Sequence, residues 1–457
     1  MADPLWRSGD IAAVTGGRLE GPPFDVTGVS IDTRSIAPGD LFVALAGARD
    51  GHEFVGAARA AGAAGCLVSR HVAEPAVVVE DVFKALEKLG IAARDRSPAL
   101  RCAVTGSVGK TSVTQAIAAG LRLAGPAHSS VKSYNNHIGV PLTLARLPAD
   151  TERSVFEVGM NHAGEITPLS HMIAPDVVVV TTVGPVHTEN FPDGEAGVAR
   201  AKTEIFAGLK RGGIAVLPAD NRWFEALRAA AEKAGARILT FGTGADADAR
   251  LIAFRPGGEV EATFAGVPVT FTLRQTADHW GLTSLCVLLT LEAMGVSQAL
   301  AIQAMSDFEP LEGRGAEREI GGFTLIDESY NANPISMASA IRTLGARPAQ
   351  GRRIVALTDM LELGADAPAF HAAIAEQLKS AGVDLVFCSG PLMKGLWDKL
   401  PSTQRGAYAG TAAELAPLVA GALRPGDVVM VKGSNGSQAH LIARALERSG
   451  AREGEGH

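Results

Sequence analysis

Residues 105–112 read Thr-Gly-Ser-Val-Gly-Lys-Thr-Ser, which is the composition of a phosphate-binding loop. An apolar run at residues 100–104 precedes this segment, and a helical pattern at residues 113–121 follows it. A strand, a glycine-rich turn and a helix form the structural context that such a loop needs. The segment is shorter than the usual Walker pattern, with Thr105 ahead of its first glycine. Because strand, glycines, lysine and threonine coincide, a chance turn before a helix is the weaker interpretation.

The residue types in this loop suit a nucleotide polyphosphate. Gly106 and Gly109 allow backbone N–H groups to turn towards phosphate oxygens, and the helix N-terminus adds partial positive charge. Lys110 can reach the outer phosphates, and the Thr111 hydroxyl can ligate Mg²⁺. We therefore predict that the chain binds ATP. The predicted loop contacts are Thr105, Gly106, Ser107, Val108, Gly109, Lys110, Thr111 and Ser112.

Three titratable residues further along the chain are candidates for metal binding and catalysis. Glu157 ends a predicted strand in the same part of the chain as the loop, where a carboxylate that binds Mg²⁺ would lie. His187 follows an apolar strand, and a hydrogen-bonded loop histidine is an equally good interpretation of it. Lys202 starts a predicted amphipathic helix, where a lysine is usually solvated.

Polar clusters at three loops exceed what simple connections need. Residues 134–142 could cap a helix or hold a polar substrate. Arg314 lies at a predicted domain boundary, from which an arginine can move onto a polyphosphate when domains close, although boundary arginines are common. Residues 327–334 follow a strand and are rich in hydrogen-bonding groups. These loops are therefore candidate binding elements.

The composition is that of a multidomain globular protein. The chain has 457 residues, of which 47% are hydrophobic and 20% charged, and its net charge is −7. This length exceeds one ordinary core, so two to four domains are expected. The acidic balance argues against a nucleic-acid-binding surface. The four cysteines, Cys66, Cys102, Cys286 and Cys388, contain no CxxC pair and are expected to be buried and reduced.

The sequence shows neither an apolar signal segment at its start nor an apolar run long enough to span a membrane. We therefore expect a soluble, cytoplasmic protein with no membrane partner.

The periodicity divides the chain into three α/β blocks, for which we predict domains at residues 1–97, 98–314 and 315–457. Apolar strands alternate with helical patterns in the second and third blocks, which indicates open, mostly parallel sheets. Residues 246–275 are β-rich and could extend the central sheet in antiparallel fashion. In such sheets functional residues gather at the carboxyl ends of the strands, where Glu157 and His187 fall.

Taken together, these segments resemble the Mur ligases, the ATP-dependent amide-forming enzymes of peptidoglycan precursor synthesis. The resemblance extends over essentially the whole chain. The NNHIGVP, GMNHAGEI, SYNANP and DMLELG strings are typical of the branch that adds D-alanyl-D-alanine, and the Asp-Asn-Pro-Arg motif of the sister branch is absent from the sequence. The matching segments are residues 32–35, 38–45, 50–54, 105–112, 135–141, 157–166, 201–206, 327–334, 359–364 and 431–434.

The resemblance implies a three-domain fold with a central P-loop NTPase-like parallel sheet and a C-terminal Rossmann-like domain. It implies that ATP phosphorylates the terminal carboxylate of UDP-N-acetylmuramoyl-tripeptide, and that the amine of D-alanyl-D-alanine then displaces phosphate to form an amide. Metal ions and cations must hold the two negatively charged reactants together. The implied partners are these two substrates without nucleic acid, and the implied state is a monomer.

The resemblance also assigns roles to individual residues. Thr111 and Glu157 would bind one Mg²⁺, and His187 a second. Lys202 matches a lysine that is carbamylated in related ligases. Arg314 would contact the phosphates and Asp327 the ribose when the last domain closes, with further nucleotide contacts from His279, Tyr330 and Asn331. The residues that match substrate sites are Ser30, Thr33, Arg34, Asn135, Asn136, His137, Asn161, His162, Glu165 and Lys432.

The segment at residues 279–283 departs from the family pattern, which has two asparagines near adenine. Here Trp280 could stack on the base, and Thr283 could supply a hydrogen bond.

The alternative to this assignment of function is another amide ligase of the superfamily, either a tripeptide-forming Mur ligase or a folylpolyglutamate synthetase. The uridine motif of the first block argues against the folate enzyme. A catalytically idle scaffold is a third hypothesis, against which the retention of Lys110, Glu157, His187 and Lys202 argues.

Overall fold

The computed structural model describes residues 3–47, 49–73, 75–131, 133–347 and 349–454. Within them, three large sheets follow one another along the chain, each flanked by helices. The mixed α/β architecture with parallel sheets agrees with the prediction from the sequence.

The first part of the chain forms a five-stranded sheet in the order β2-β7-β6-β5-β4, in which only the β2–β7 pair is antiparallel. A small β1–β3 ribbon accompanies it. Helices α1 and α3 pack on one face, which buries Leu41, Leu67 and Leu86 in a common core. The elements are β1 Trp6–Arg7, α1 Ser8–Thr15, β2 Arg18–Glu20, β3 Asp25–Val26, β4 Gly28–Ser30, β5 Asp40–Val43, α2 Val55–Ala60, β6 Gly65–Val68, β7 Ala76–Val78 and α3 Val82–Arg96.

The central part forms a nine-stranded sheet in the order β16-β15-β14-β13-β12-β11-β8-β10-β9. Strands β9 to β13 and β8 are parallel, and β14 to β16 extend the sheet with antiparallel pairs, as the β-rich pattern predicts. The elements are β8 Leu100–Thr105, α4 Lys110–Ala124, β9 Ala127–Ser129, α5 Gly139–Ala145, β10 Arg153–Glu157, α6 Ile166–Ile173, β11 Val177–Val180, α7 Glu195–Thr203, β12 Ile214–Pro218, α8 Phe224–Lys233, β13 Arg237–Gly242, β14 Ala249–Phe254, β15 Glu259–Phe264, β16 Val267–Thr272, α9 His279–Ala293 and α10 Gln298–Asp307.

The last part forms a six-stranded sheet in the order β17-β18-β22-β19-β20-β21, parallel except for β17. Buried aliphatic side chains line both of its faces, against helices on each side. The elements are β17 Ala316–Ile320, β18 Phe323–Glu328, α11 Pro334–Ala346, β19 Arg353–Thr358, α12 Ala367–Ser380, β20 Leu385–Ser389, α13 Lys394–Lys399, β21 Arg405–Ala409, α14 Ala412–Ala420, β22 Val428–Lys432 and α15 His440–Gly454.

The strand order of the central sheet creates a crevice above β8. Chain connections leave β8 towards β10 and β9 on one side and towards β11 and β12 on the other. Such a change of direction opens a binding crevice at the carboxyl ends of parallel strands. The phosphate loop, Glu157 and His187 all follow strands that end at this crevice. The sheet therefore gathers the candidate residues that the sequence spreads over 80 positions.

Two details differ from the sequence prediction. The strand before His187, for which the apolar pattern covers residues 176–183, ends earlier, at Val180. Beyond it the Thr182 carbonyl accepts from the Ser107 amide of the phosphate loop. Lys202 does not start a solvated helix. It lies in the last turn of α7 and is only 1% exposed, because this turn packs into the core beside the crevice.

The three sheets lie within the predicted blocks, and we propose domain boundaries near residues 97 and 314. The four cysteines are buried, as expected, and no disulfide bond forms among them in the described residues. In the part of the chain that the structure describes, no helix is long and apolar enough to cross a bilayer.

Candidate functional site

The phosphate loop has the backbone conformation that its glycines permit. Gly106 and Gly109 adopt φ values of 149° and 83°. A Cβ on Gly106 would collide with the Thr181 hydroxyl, so close packing also requires glycine there. The Ser107 hydroxyl donates to the Gly184 carbonyl at 3.1 Å and ties the loop to the segment after β11. The loop leads directly into α4, which directs the helix N-terminus at the crevice.

Lys110 is the first residue of α4, and its Nζ donates to the Gly106 carbonyl at 2.8 Å. Burial lowers its pKa, Glu157 opposes this effect, and Arg314 adds to it. The lysine, the carboxylate and the arginine are thus close enough to interact electrostatically. A phosphate group bound at the mouth of the loop would lie between the cations of Lys110 and Arg314 and the N-terminus of α4.

Glu157 ends β10 and is 1% exposed. Its Oε1 accepts a hydrogen bond from the Asn135 amide at 2.7 Å. Its Oε2 is buried and has no hydrogen-bond partner among the described residues. A buried carboxylate oxygen without a donor is costly unless a cation faces it. The geometry therefore fits a divalent cation at this oxygen.

Lys202 is buried and forms no hydrogen bond or ion pair with any residue that the structure describes. Burial moves its pKa well below that of a free lysine, and the charge of Lys110 lowers it further. Glu204 and Glu165 act in the opposite direction. This shift favours the neutral form of the amine, which is the form that can act as a nucleophile.

His187 lies in the loop after β11 with a left-handed backbone, φ 59°. Its Nδ1 is 2.5 Å from Oε2 of Glu362, which belongs to the last part of the chain. This contact with His187 lowers the pKa of Glu362. The pair meets an ion-pair distance, but Nδ1 is buried and makes no hydrogen bond of good geometry with any described residue. A carboxylate therefore lies beside this ring nitrogen, and Nε2 is the other ligating atom.

No three His, Cys, Asp or Glu side chains converge into a ready-made metal cage within the described residues. This agrees with Mg²⁺ binding to ATP enzymes, where one or two protein ligands act together with water and phosphate oxygens. Glu157 Oε2 and the Thr111 hydroxyl are the protein atoms that suit one such ion.

The last part of the chain contacts the phosphate loop through Arg314. Its Nη2 donates to the Thr111 hydroxyl at 3.0 Å, and its guanidinium lies 3.9 Å from the centre of the Tyr330 ring. Tyr330 donates its hydroxyl to Ser133 at 2.8 Å, and the Ser133 and Thr111 hydroxyls are 3.0 Å apart. The structure thus brings two predicted nucleotide residues onto the loop. The sequence analysis missed Ser133, whose only signal is its place before the Asn135–Pro141 string.

Two other predicted residues of the last part are held by their own neighbours. Asp327 is 4% exposed, and its two oxygens accept the backbone amides of Gly313 and Ser329. Lys432 is buried, and its Nζ bonds to Glu328 at 2.9 Å and to the Asn331 carbonyl at 3.2 Å. In this structure Asp327 and Lys432 order the 327–334 loop, whereas their contacts with ribose and dipeptide stay predictions.

The 279–283 segment begins α9 and lies against the last part of the chain. His279 Nδ1 is 3.4 Å from the Ser339 hydroxyl. Trp280 is buried with its ring centre 5.8 Å from that of Phe308, and it lines a cavity of about 400 Å³ between the central and last sheets. A tryptophan packed in this way serves the core, so adenine stacking on Trp280 stays a prediction.

The predicted uridine residues occupy the loop after β4. The Ser30 hydroxyl donates to the Asp32 carbonyl at 3.1 Å, and exposed Arg34 forms a bidentate ion pair with Asp32. Thr33 is half-buried in the same turn. Arg146 donates to the Val29 carbonyl of β4 at 2.6 Å and its guanidinium lies 5.9 Å from the centre of the Tyr134 ring, so this turn lies beside the polar cluster before α5. The two loops that the sequence assigns to one substrate therefore face each other.

The remaining substrate candidates line the path from this turn to Glu157. The Asn136 side chain caps α5 by accepting from the Gly139 amide at 2.9 Å, and His137 stays exposed beside Phe83. The Glu165 carboxylate accepts a hydrogen bond from the backbone amide of Asn161 at 2.8 Å and lies 3.0 Å from His162 Nδ1. These three residues are exposed and available to a ligand.

One carboxylate that the sequence analysis did not single out orders this path. Glu204 accepts from the backbone amides of Gly164, Ile166 and Thr167 at 2.6–3.1 Å. It thereby caps α6 and fixes the loop that carries Asn161 to Glu165. Its only sequence signal is its position two residues after Lys202.

Comparison with known proteins assigns the class. Three family models match in succession: the Mur ligase family catalytic domain over residues 25–104, the Mur ligase middle domain over residues 104–290, and the glutamate ligase domain of Mur ligases over residues 313–435. The chain belongs to the Mur ligase family.

Several proteins to which the chain is similar are ligases of the branch that adds D-alanyl-D-alanine. It is 33% identical to the UDP-N-acetylmuramoyl-tripeptide–D-alanyl-D-alanine ligase of Escherichia coli, with 96% of this chain and 97% of that protein covered. MurF from Acinetobacter baumannii superposes with a TM-score of 0.85 at 25% identity, over 97% of this chain and 99% of that one. MurF from Thermotoga maritima, described in complex with ADP, has the same fold, with a TM-score of 0.78 at 24% identity over 93% and 98% of the two chains.

Proposed function

We propose that this chain is an ATP-dependent, ADP-forming ligase that joins D-alanyl-D-alanine to UDP-N-acetylmuramoyl-tripeptide. The observation that carries the proposal is the meeting of Lys110, Glu157 and buried Lys202 at the crevice where the substrate loops end. The names of full-length relatives at 33% and 31% identity support the choice of substrates.

In the proposed reaction the tripeptide carboxylate attacks the γ-phosphorus of ATP, and ADP leaves. The dipeptide amine then attacks the resulting acyl phosphate, loses a proton, and expels inorganic phosphate. Lys110 and Arg314 hold the phosphates, so that their cations offset the repulsion between carboxylate and triphosphate. The loop amides and the N-terminus of α4 complete this cradle.

The same residues support a cation site. Glu157 Oε2 and the Thr111 hydroxyl would hold one Mg²⁺, and His187 with a carbamylated Lys202 would hold a second. Bound Mg²⁺ supplies charge neutralisation between the phosphate and carboxylate oxygens. The neutral Lys202 amine can add to CO₂ and release one proton, which converts an unpaired buried amine into an anion facing Lys110.

The substrate side follows from the order of the loops. The turn at residues 30–34 would take the uridine end, and the loops at residues 135–137 and 161–165 would take the muramoyl-peptide. The dipeptide would enter from the last sheet near Lys432. One chain supplies every residue assigned to both substrates, so we also propose a monomer. Cysteines that form no disulfide bond in the described residues, together with the use of ATP, suit a cytoplasmic enzyme.

The test measures phosphate release from ATP and Mg²⁺ with UDP-N-acetylmuramoyl-tripeptide, with and without D-alanyl-D-alanine, and the mass of the product. We expect release only with both substrates and a product heavier by one dipeptide residue pair. Lys110→Ala is the matched variant and should lose more than 90% of the rate with its fold intact, because a phosphate contact in the transition state is worth several kcal/mol. Turnover with a different amino acid, or with a folate, would overturn the substrate assignment.

A further inference from the structure

The segment Asp359–Gly364 has no role in the function proposed above, although it carries DMLELG, one of the strings on which the resemblance to the D-alanyl-D-alanine-adding branch rests. It follows β19 of the last sheet and reaches across to the loop that carries His187. The second of its two acidic residues, Glu362, is the carboxylate that lies 2.5 Å from His187 Nδ1.

Backbone contacts accompany this side-chain pair. The Thr188 hydroxyl donates to the Leu363 carbonyl at 3.5 Å. Gly364 has φ 59°, and a Cβ there would lie 3.2 Å from Glu189. The two loops are therefore packed closely enough to require glycine on one side, and the Glu362–His187 contact is part of a fitted surface.

The last sheet holds this segment firmly. The Met360 amide donates to the buried His371 ring at 2.9 Å, and the Leu361 amide donates to the Ser434 hydroxyl at 2.9 Å. Glu362 itself has a left-handed backbone, φ 62°, which a non-glycine residue adopts only when its surroundings impose it. The conformation of Glu362 is thus set before it meets His187.

We propose that Glu362 is a positioning residue for His187, so that the last part of the chain completes the cation site when it closes on the central sheet. A carboxylate on one ring nitrogen of a metal-binding histidine fixes the ring orientation and raises the basicity of the other nitrogen. This inference rests on the proposed role of His187.

The test compares Glu362→Ala and Glu362→Gln with Asp398→Asn, which changes an exposed carboxylate of α13 that forms an ion pair with Lys394. The first measurement is the Mg²⁺ concentration that half-saturates binding of a non-hydrolysable ATP analogue. We expect a rise of about 10-fold or more for Glu362→Ala, a smaller rise for Glu362→Gln, and none for Asp398→Asn.

The second measurement is amide hydrogen exchange of residues 184–191 in the nucleotide-free proteins, which needs no catalysis. Exchange should be faster in Glu362→Ala than in the wild type, with thermal unfolding unchanged. The proposal requires both effects, so an unaltered Mg²⁺ requirement or unaltered exchange overturns it. Failure of the proposed function looks different, because the wild type itself would then make no product from the two substrates.

Discussion

At the scale of single residues, the burial of Lys202 is the strongest departure from what is usual, because lysine side chains ordinarily lie in solvent. A lysine with 1% exposure and no hydrogen bond to any described residue is destabilising unless it is modified or neutral. The charge of Lys110 lowers its pKa and that of Glu165 raises it, so Lys202 lies within electrostatic range of both the phosphate loop and the substrate loop. Carbamylation turns a lysine into an anion. A function that needs a buried anion at this point would therefore explain why a lysine is found here.

We expect Lys202→Ala to be inactive in the ligase assay and to regain part of its rate when formate or acetate is added. The small acid would occupy the space of a carbamate and restore the anion that the alanine variant lacks. The dependence of the rate on acid concentration measures this effect, with Lys110→Ala as the control that no acid should rescue. Rescue of neither variant at any concentration would count against the carbamate.

At the scale of elements, Glu204 connects the end of α7 with the start of α6. Its carboxylate takes three backbone amides that the first turn of α6 leaves unpaired. The capped loop carries Asn161, His162 and Glu165. Loss of this one side chain should therefore affect both stability and binding of the muramoyl substrate.

We expect Glu204→Ala to lower the free energy of unfolding by about 1–3 kcal/mol, because buried amide donors lose a charged acceptor. The KM for UDP-N-acetylmuramoyl-tripeptide should rise more than kcat falls, since substrate binding to the variant must also order the loop that Glu204 no longer holds. Urea unfolding and steady-state kinetics measure the two effects. Glu232→Ala is the control, because its 3.6 Å surface ion pair with Arg228 contributes little; equal effects in both variants would refute the role of Glu204.

The elements also show how far sequence reasoning reaches. The β8–loop–α4 unit and the strand end at Glu157 could be predicted, because glycine spacing and apolar runs encode them locally. The burial of Lys202 could not, because it depends on which face of α7 meets the core. Ser133, Glu204 and Glu362 act through partners 22 or more positions away in the chain. Such contacts exist only once the sheets are assembled, and a single sequence carries no local signal of them.

At the scale of the whole molecule, the central and last sheets are joined by polar contacts at the catalytic crevice. Arg314 reaches Thr111, Tyr330 reaches Ser133, and His187 meets Glu362. All three contacts lie around the proposed phosphate site. Closure of the last part of the chain is therefore coupled to the loop that would hold the nucleotide.

The pair Ser133 and Tyr330 allows this coupling to be measured, because Tyr330→Phe removes the hydroxyl but keeps the ring beneath Arg314. We expect Ser133→Ala and Tyr330→Phe each to weaken binding of the non-hydrolysable ATP analogue by about 1 kcal/mol, the net value of one hydrogen bond. The double variant should be little worse than either single one, because both remove the same contact. Small-angle scattering should show a larger radius of gyration for all three variants without ligand. Fully additive effects, with unchanged scattering, would mean that the hydroxyl contact does not hold the two sheets together.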